Sequence, residues 1–202
     1  IRHSEKVLFM KRLLLILILT FSFQNFTKAD DIRDFEIEGM SIGDNLFDFI
    51  SNEEFEDNRK GSKIHFHKNK KFAELLLYKL EKFETYDGVR VTWKPGDKNY
   101  ELYGVSGLIY FKNNFKDCEN KKKAIVADIS KSLNKTKKVD RGKIIHPFDK
   151  TGNSYFNEIY FTINGLDQIR IYCMNWSKKM EDENNFWDAL NVIIGGKEFG
   201  NF

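Results

Sequence analysis

YFNEIYFTINGLDQIRIYCM, residues 155–174, carries two runs rich in β-branched and aromatic residues, Tyr155 to Ile163 and Gln168 to Met174, on either side of Asn164-Gly165. Asn-Gly tolerates positive φ at both positions and so joins antiparallel strands by a tight turn. The stretch therefore predicts a hairpin and commits the fold to an antiparallel sheet. Upstream, Val89, Val91 and Trp93 alternate with polar residues, Lys94-Pro95-Gly96-Asp97 reads as a turn, and Tyr100 to Phe111 returns as a second long arm. Gly104 and Gly107 interrupt that arm and suit a bulge that would curve the sheet around a helix.

Further strands follow from the same period-two logic. Ile64 and Phe66 alternate with His65 and His67, Ile144 and Ile145 precede Pro147, Asp149 to Asn153 is a turn, and Ala189 to Ile194 is stopped by Gly195-Gly196. Phe72 to Leu80 is apolar enough for strand or helix; strand is the favoured reading. Asp117 can cap a helix running to about Leu133, with Ile125, Val126, Ile129 and Leu133 in one stripe and Lys121 to Lys123, Asp128 and Lys131 facing water. Nearer the start, Phe35-Glu36-Ile37 is an extended entry. Ser41 with Asp44 three residues on predicts a helix carrying Leu46, Phe49 and Ile50 inward, and Ser51-Asn52-Glu53-Glu54 predicts a second, through Asn58. The fold class is α+β: a curved antiparallel sheet of about five to seven strands, with one long helix and short N-terminal helices packed on it.

The first methionine is Met10. Lys11-Arg12 then precedes an apolar run from Leu13 to Phe23, ended by Gln24 and Asn25. A charged start and a run of this length match a secretory signal and are too short for a bilayer-spanning helix. Thr27-Lys28-Ala29 puts small residues three and one before a cut, so cleavage is expected after Ala29; residues 1–9 lie upstream of the expected start. Residues 1–29 are thus upstream sequence plus signal, and 30–202 form a single domain, long enough to bury a real core. That domain is expected in the periplasm or secreted, without a transmembrane anchor and as a monomer. Arg2, Lys6, Lys11, Arg12 and Lys28 against Glu5 account for the +3 of the full chain, leaving the remainder slightly acidic. Nucleic acid is therefore not an expected partner. The acidic block before Asp57 and the basic blocks Arg59 to Lys71 and Lys121 to Lys143 read as solvated faces.

Cys118 and Cys173 are the only two cysteines. In an oxidising compartment a lone pair is expected to form a disulfide. The other readings are a nucleophile or metal ligand, for which no C-x-x-C or neighbouring histidine speaks, or two buried free thiols. His65 and His67 project from one face of a strand, a spacing metals use, with His146 as a conceivable third ligand; the plainer reading is an exposed strand face. Gly104-Val105-Ser106-Gly107 falls short of the nucleophile elbow, since its second glycine comes one residue early and inside a strand. No phosphate loop, dinucleotide fingerprint or EF-hand loop is present, so no catalytic residue and no cofactor is assigned. The 19 Phe and 8 Tyr are read as core filling in an AT-rich coding context rather than as a stacking surface.

Ile37 to Asp44, Asn113 to Cys118 and Tyr172 to Ser177 together resemble exported proteins of AT-rich marine alphaproteobacteria, a resemblance that spans nearly all of residues 30–202 and brings no assigned activity. Gly39-Met40-Ser41 is similar to a helix start in the outer-membrane assembly lipoproteins of the BamE type. Those carry a lipidated cysteine at the mature N-terminus, and no cysteine stands near Ala29 in this chain. The functional expectation is a non-enzymatic envelope protein that binds a small ligand or an envelope protein through the face of its sheet. The alternative is a periplasmic hydrolase. Converging ionisable groups around His65, His67 or His146 would favour the hydrolase; a smooth apolar groove would favour binding.

Overall fold

The structure, a computed structural model, describes residues 31–61, 64–67, 70–78, 80–112, 114–133 and 136–199. The expected export signal and the cut after Ala29 lie outside the described residues. Among those residues eight strands form one open antiparallel sheet: β1 (His65–Phe66), β2 (Ala73–Tyr78), β3 (Gly88–Trp93), β4 (Gly104–Tyr110), β5 (Lys137–Ile145), β6 (Tyr155–Ile163), β7 (Asp167–Asn175) and β8 (Ala189–Gly195). The order is β1-β2-β3-β4-β8-β7-β6-β5. The chain runs from one edge to the centre, crosses to the far edge through helix α2 (Phe115–Ser132), and returns so that β8 pairs with β4. Helix α1 (Asn52–Gly61) precedes β1, and helix α3 (Lys178–Asn184) links β7 to β8. The architecture is α+β, with eight strands instead of the expected five to seven; the strand expected at Ile144 and Ile145 is the end of the nine-residue β5, whose charged Lys137 to Lys143 lies inside a basic block.

Period-two alternation gives the sheet two different faces. Leu75, Val91, Val105, Ile194, Ile169 and Phe161 stand opposite one another in register across six strands, and all are buried. Each such side chain stabilises the fold by roughly 1.5–3 kcal/mol on burial. Helix α2 covers this face with Cys118, Val126 and Leu133, and Phe55 of α1 joins the same core. The Cys118–Cys173 disulfide ties the first turn of α2 to β7, with 6.0 Å between the Cα atoms.

Several local expectations give way to packing. Ser41 starts no helix: its hydroxyl turns back to the Phe35 carbonyl (2.8 Å), with the Arg33 carbonyl at 3.2 Å, and the chain makes a turn at Ile42 and Gly43. Leu46–Asp48 is instead a single 3-10 turn capped by Asn45. The Ser51 and Glu54 capping box does form and starts α1. Helix α2 is capped by Asn114 in place of Asp117. Lys122, expected in water, is buried because it falls one turn from both Cys118 and Val126; its ammonium donates to Glu119 (2.9 Å) and to the Asn157 carbonyl (3.1 Å). β4 begins at Gly104, several residues later than expected, and has no bulge: its register with β3 and β8 is continuous. The bare Cα atoms admit rings instead. A Cβ on Gly107 would lie 2.7 Å from Tyr86 Cγ, and one on Gly104 2.6 Å from the Phe199 ring. The register shift of the sheet falls in β5, between Asp140 and Gly142.

Candidate functional site

The face of the sheet turned away from α2 carries a cleft of about 870 Å³, open to solvent. Its floor comes from successive rows of the pleat. Leu76 and Arg90 are register partners, Leu108 pairs with Asn191 and Asn191 with Tyr172, and Tyr110, Ala189 and Met174 form the next row. Each of these residues alternates with one that points into the α2-covered core, so sheet periodicity fixes the cleft composition as firmly as it fixes the core.

The walls are loops held by one carboxylate. Asp149, in the turn between β5 and β6, accepts from the Thr151 amide (2.9 Å) and hydroxyl (2.7 Å), the Ser154 amide (3.0 Å) and hydroxyl (2.6 Å), and the Ser177 hydroxyl (2.8 Å). The Ser154 hydroxyl, followed by that of Thr151, holds the Asp149 carboxyl far below the usual range. Ser177 is also the N-cap of α3, so the β5–β6 loop and the start of α3 are joined through Asp149. At the other end of α3, Asn185 adopts a left-handed conformation (φ 54°), reversing the chain before Phe186 and Trp187 reach the cleft.

The result is an aromatic wall. Trp176 lies 4.5 Å from Phe186 and 4.7 Å from His146, ring centre to ring centre, and Trp187 meets Tyr110 edge-on at 5.5 Å. Asp188 supports it from behind, accepting from the Trp176 amide at 2.8 Å through its side chain and from the Phe111 amide at 2.8 Å through its carbonyl. Burial raises the Asp188 carboxyl above its ordinary value.

The charged groups on this face divide unequally. Glu158, wholly buried, takes Arg141 at 3.0 Å on one oxygen and both Nε (2.8 Å) and Nη2 of Arg170 on the other. Among the described residues Arg90 meets a carboxylate only at Glu74, 4.0 Å away, while Glu74 sits 3.0 Å from His67 Nε2. Arg90 lines the cleft; Glu74 and Glu158 do not, and among the described residues no Asp or Glu does. Burial pushes the Tyr172 phenol up, and that of Tyr110 likewise, so both remain neutral donors.

Of the histidines, His65 and His146 both line the cleft, whereas His67 packs against Phe72 and Phe199 outside it. Burial lowers the His146 pKa, and its Nδ1 accepts from the Phe148 amide at 3.3 Å, which describes a neutral ring serving the wall. Among the described residues no three His, Cys, Asp or Glu side chains gather as a metal would need. Ser106 sits mid-strand in β4 between Arg90 and Ile193, with no turn to expose it. Arg90, Asn191, Tyr172, Trp176 and Trp187 were not singled out by sequence. The signal for the first three is that they fall on the second set of alternate positions in strands whose first set is apolar.

Fold and site together define an eight-stranded antiparallel α+β protein with a helix-covered face and an aromatic, ligand-sized cleft on the other. No family model matches the chain, no curated protein is similar to it in sequence, and no solved structure matches it.

Proposed function

We propose that this is an exported envelope protein whose cleft binds a small, largely apolar ligand, and that it performs no chemistry on it. The observation that carries the reading is the composition of the cleft: about 870 Å³ lined mainly by aliphatic and aromatic side chains, with few polar groups and, among the described residues, no carboxylate. Ligand sites of this size are lined in this way, with a small number of polar groups that set orientation. Hydrolysis would need a base or nucleophile poised over bound substrate. The buried acid on this face, Glu158, is saturated by two guanidinium groups, which favours binding over turnover.

Export is supported by the Lys11-Arg12 pair and the apolar run behind it, and the Cys118–Cys173 disulfide suits an oxidising compartment. Among the described residues no helix is long and apolar enough to cross a membrane. Native mass spectrometry of protein isolated from the envelope tests both parts. A chain beginning at Asp30, oxidised, and carrying a releasable small molecule is the expected result. A chain retaining residues 10–29, or one that yields no ligand and gains no thermal stability with any apolar compound, contradicts it.

A further inference from the structure

We propose that the ligand is an amphiphile with one anionic head, a flat apolar body stacking on the Trp176 and Phe186 wall while the head is met by the Arg90 guanidinium. This deepens the binding reading above and rests on it. The first ground is charge balance. On the strands of the cleft face, among the described residues, three guanidinium groups (Arg90, Arg141 and Arg170) stand with two carboxylates (Glu74 and Glu158), and Arg141 and Arg170 are both spent on Glu158. Glu74, the nearest acid to Arg90, stands at 4.0 Å from its Nε and lies closer to His67. A guanidinium gains most from short, bidentate contact with an oxyanion, and that geometry is not satisfied by Glu74.

The second ground is the company Arg90 keeps. Asn191, at the centre of the floor, is 5 % exposed and lines the cleft. A polar side chain on such a floor loses its hydration when a ligand that offers it no hydrogen bond covers it. Asn191 pairs in register with Tyr172, whose neutral phenol adds a further donor to the floor. Guanidinium, amide and phenol on one floor make a donor-rich end; Phe186, Trp176 and Trp187 make an apolar end. A neutral apolar ligand would leave Arg90 and Asn191 desolvated beneath it, and a cationic one would be repelled.

Two naphthalene fluorophores separate this inference from the reading beneath it. Anilinonaphthalene sulfonate and phenylnaphthylamine share one aromatic body, and only the first bears an anion. With the oxidised protein, natively folded by near-ultraviolet circular dichroism, both are expected to bind, the anion about tenfold tighter at low salt. Arg90→Gln should abolish that preference, and salt should erode it in the wild type. Equal binding of both probes to the wild type overturns the anionic head and leaves the binding reading intact. Binding of neither overturns both. The wild-type ratio decides by itself, so the test stands even where Arg90→Gln fails to fold.

Discussion

The Asp149 carboxylate accepts a hydrogen bond at 2.8 Å from the hydroxyl of Ser177, and through that contact the β5–β6 loop and the cap of α3 become one wall. Two residues distant in sequence thus decide whether His146, Phe148, Trp176 and Phe186 stand together. Asp149→Asn keeps the volume but loses charge and acceptor capacity. The depressed carboxyl contributes stability that is complete above the titration of an unfolded carboxylate, near about pH 4, and that is lost as pH falls toward the native value. Urea midpoints should therefore show Asp149→Asn less stable than wild type by a constant margin at neutral pH, with the margin closing below about pH 4. A margin that does not change with pH would remove Asp149 from this role.

Asp188 carries the opposite sign. Its carboxyl is raised by burial, so the native state holds its proton to higher pH than the unfolded chain, and stability falls as pH rises between the two values. Asp188→Asn retains an acceptor for the Trp176 amide and removes the buried charge. At pH 7 it should melt no lower than wild type, and below about pH 4 the advantage should vanish.

Reduction of Cys118–Cys173 releases a closure spanning 55 positions. In the chain-entropy treatment that costs about 4 kcal/mol. The double variant Cys118→Ser with Cys173→Ser should show that loss in urea titration, and reductant should have no further effect on it.

Glu158→Gln leaves Arg170 and Arg141 without their counter-charge on the cleft face. Removing one partner of a buried pair costs about 3–5 kcal/mol, and because Arg141 is half exposed the lower end applies. Equilibrium unfolding at two salt concentrations checks it: the loss should be nearly independent of salt.

Gly107→Ala drives a methyl group into the Tyr86 ring, which is held in place by burial that also lifts its phenol to about 12. Overpacking of this kind costs about 1–3 kcal/mol. Gly104→Ala should cost less, since Phe199 stands beyond the last strand, after the turn from Gly196, and can shift.

Much of the sheet was legible because hairpin chemistry is local. Asn164 and Gly165 both take positive φ, and β6 and β7 pair from Tyr155 with Asn175 to Ile163 with Asp167. β8 was legible because it is apolar on both faces at the sheet centre. Of β5 only the end at Ile144 and Ile145 was legible, because it is an edge strand whose exposed Lys137 to Lys143 show no apolar alternation. Helix α3 was missed because KKMEDEN presents only Met180 to the interior, and its cap, Ser177, is recognisable only beside Asp149. For the cleft, sequence supplied His65 and His146 but not their meaning. Their neighbours Trp176, Trp187 and Asn191 come from separate segments that only the order β4-β8-β7 brings together.

The chain has three tryptophans, and the sheet divides them. Trp176 and Trp187 line the cleft, whereas Trp93 packs with Phe55 and Tyr100 on the helix-covered face. Their indole N–H resonances in a proton–nitrogen correlation spectrum, followed during titration with anilinonaphthalene sulfonate, report the two faces separately. Saturable shifts of Trp176 and Trp187 with Trp93 unmoved are predicted; a spectrum in which none of the three responds, or in which Trp93 moves as far as the others, would contradict a binding cleft on the face turned away from α2.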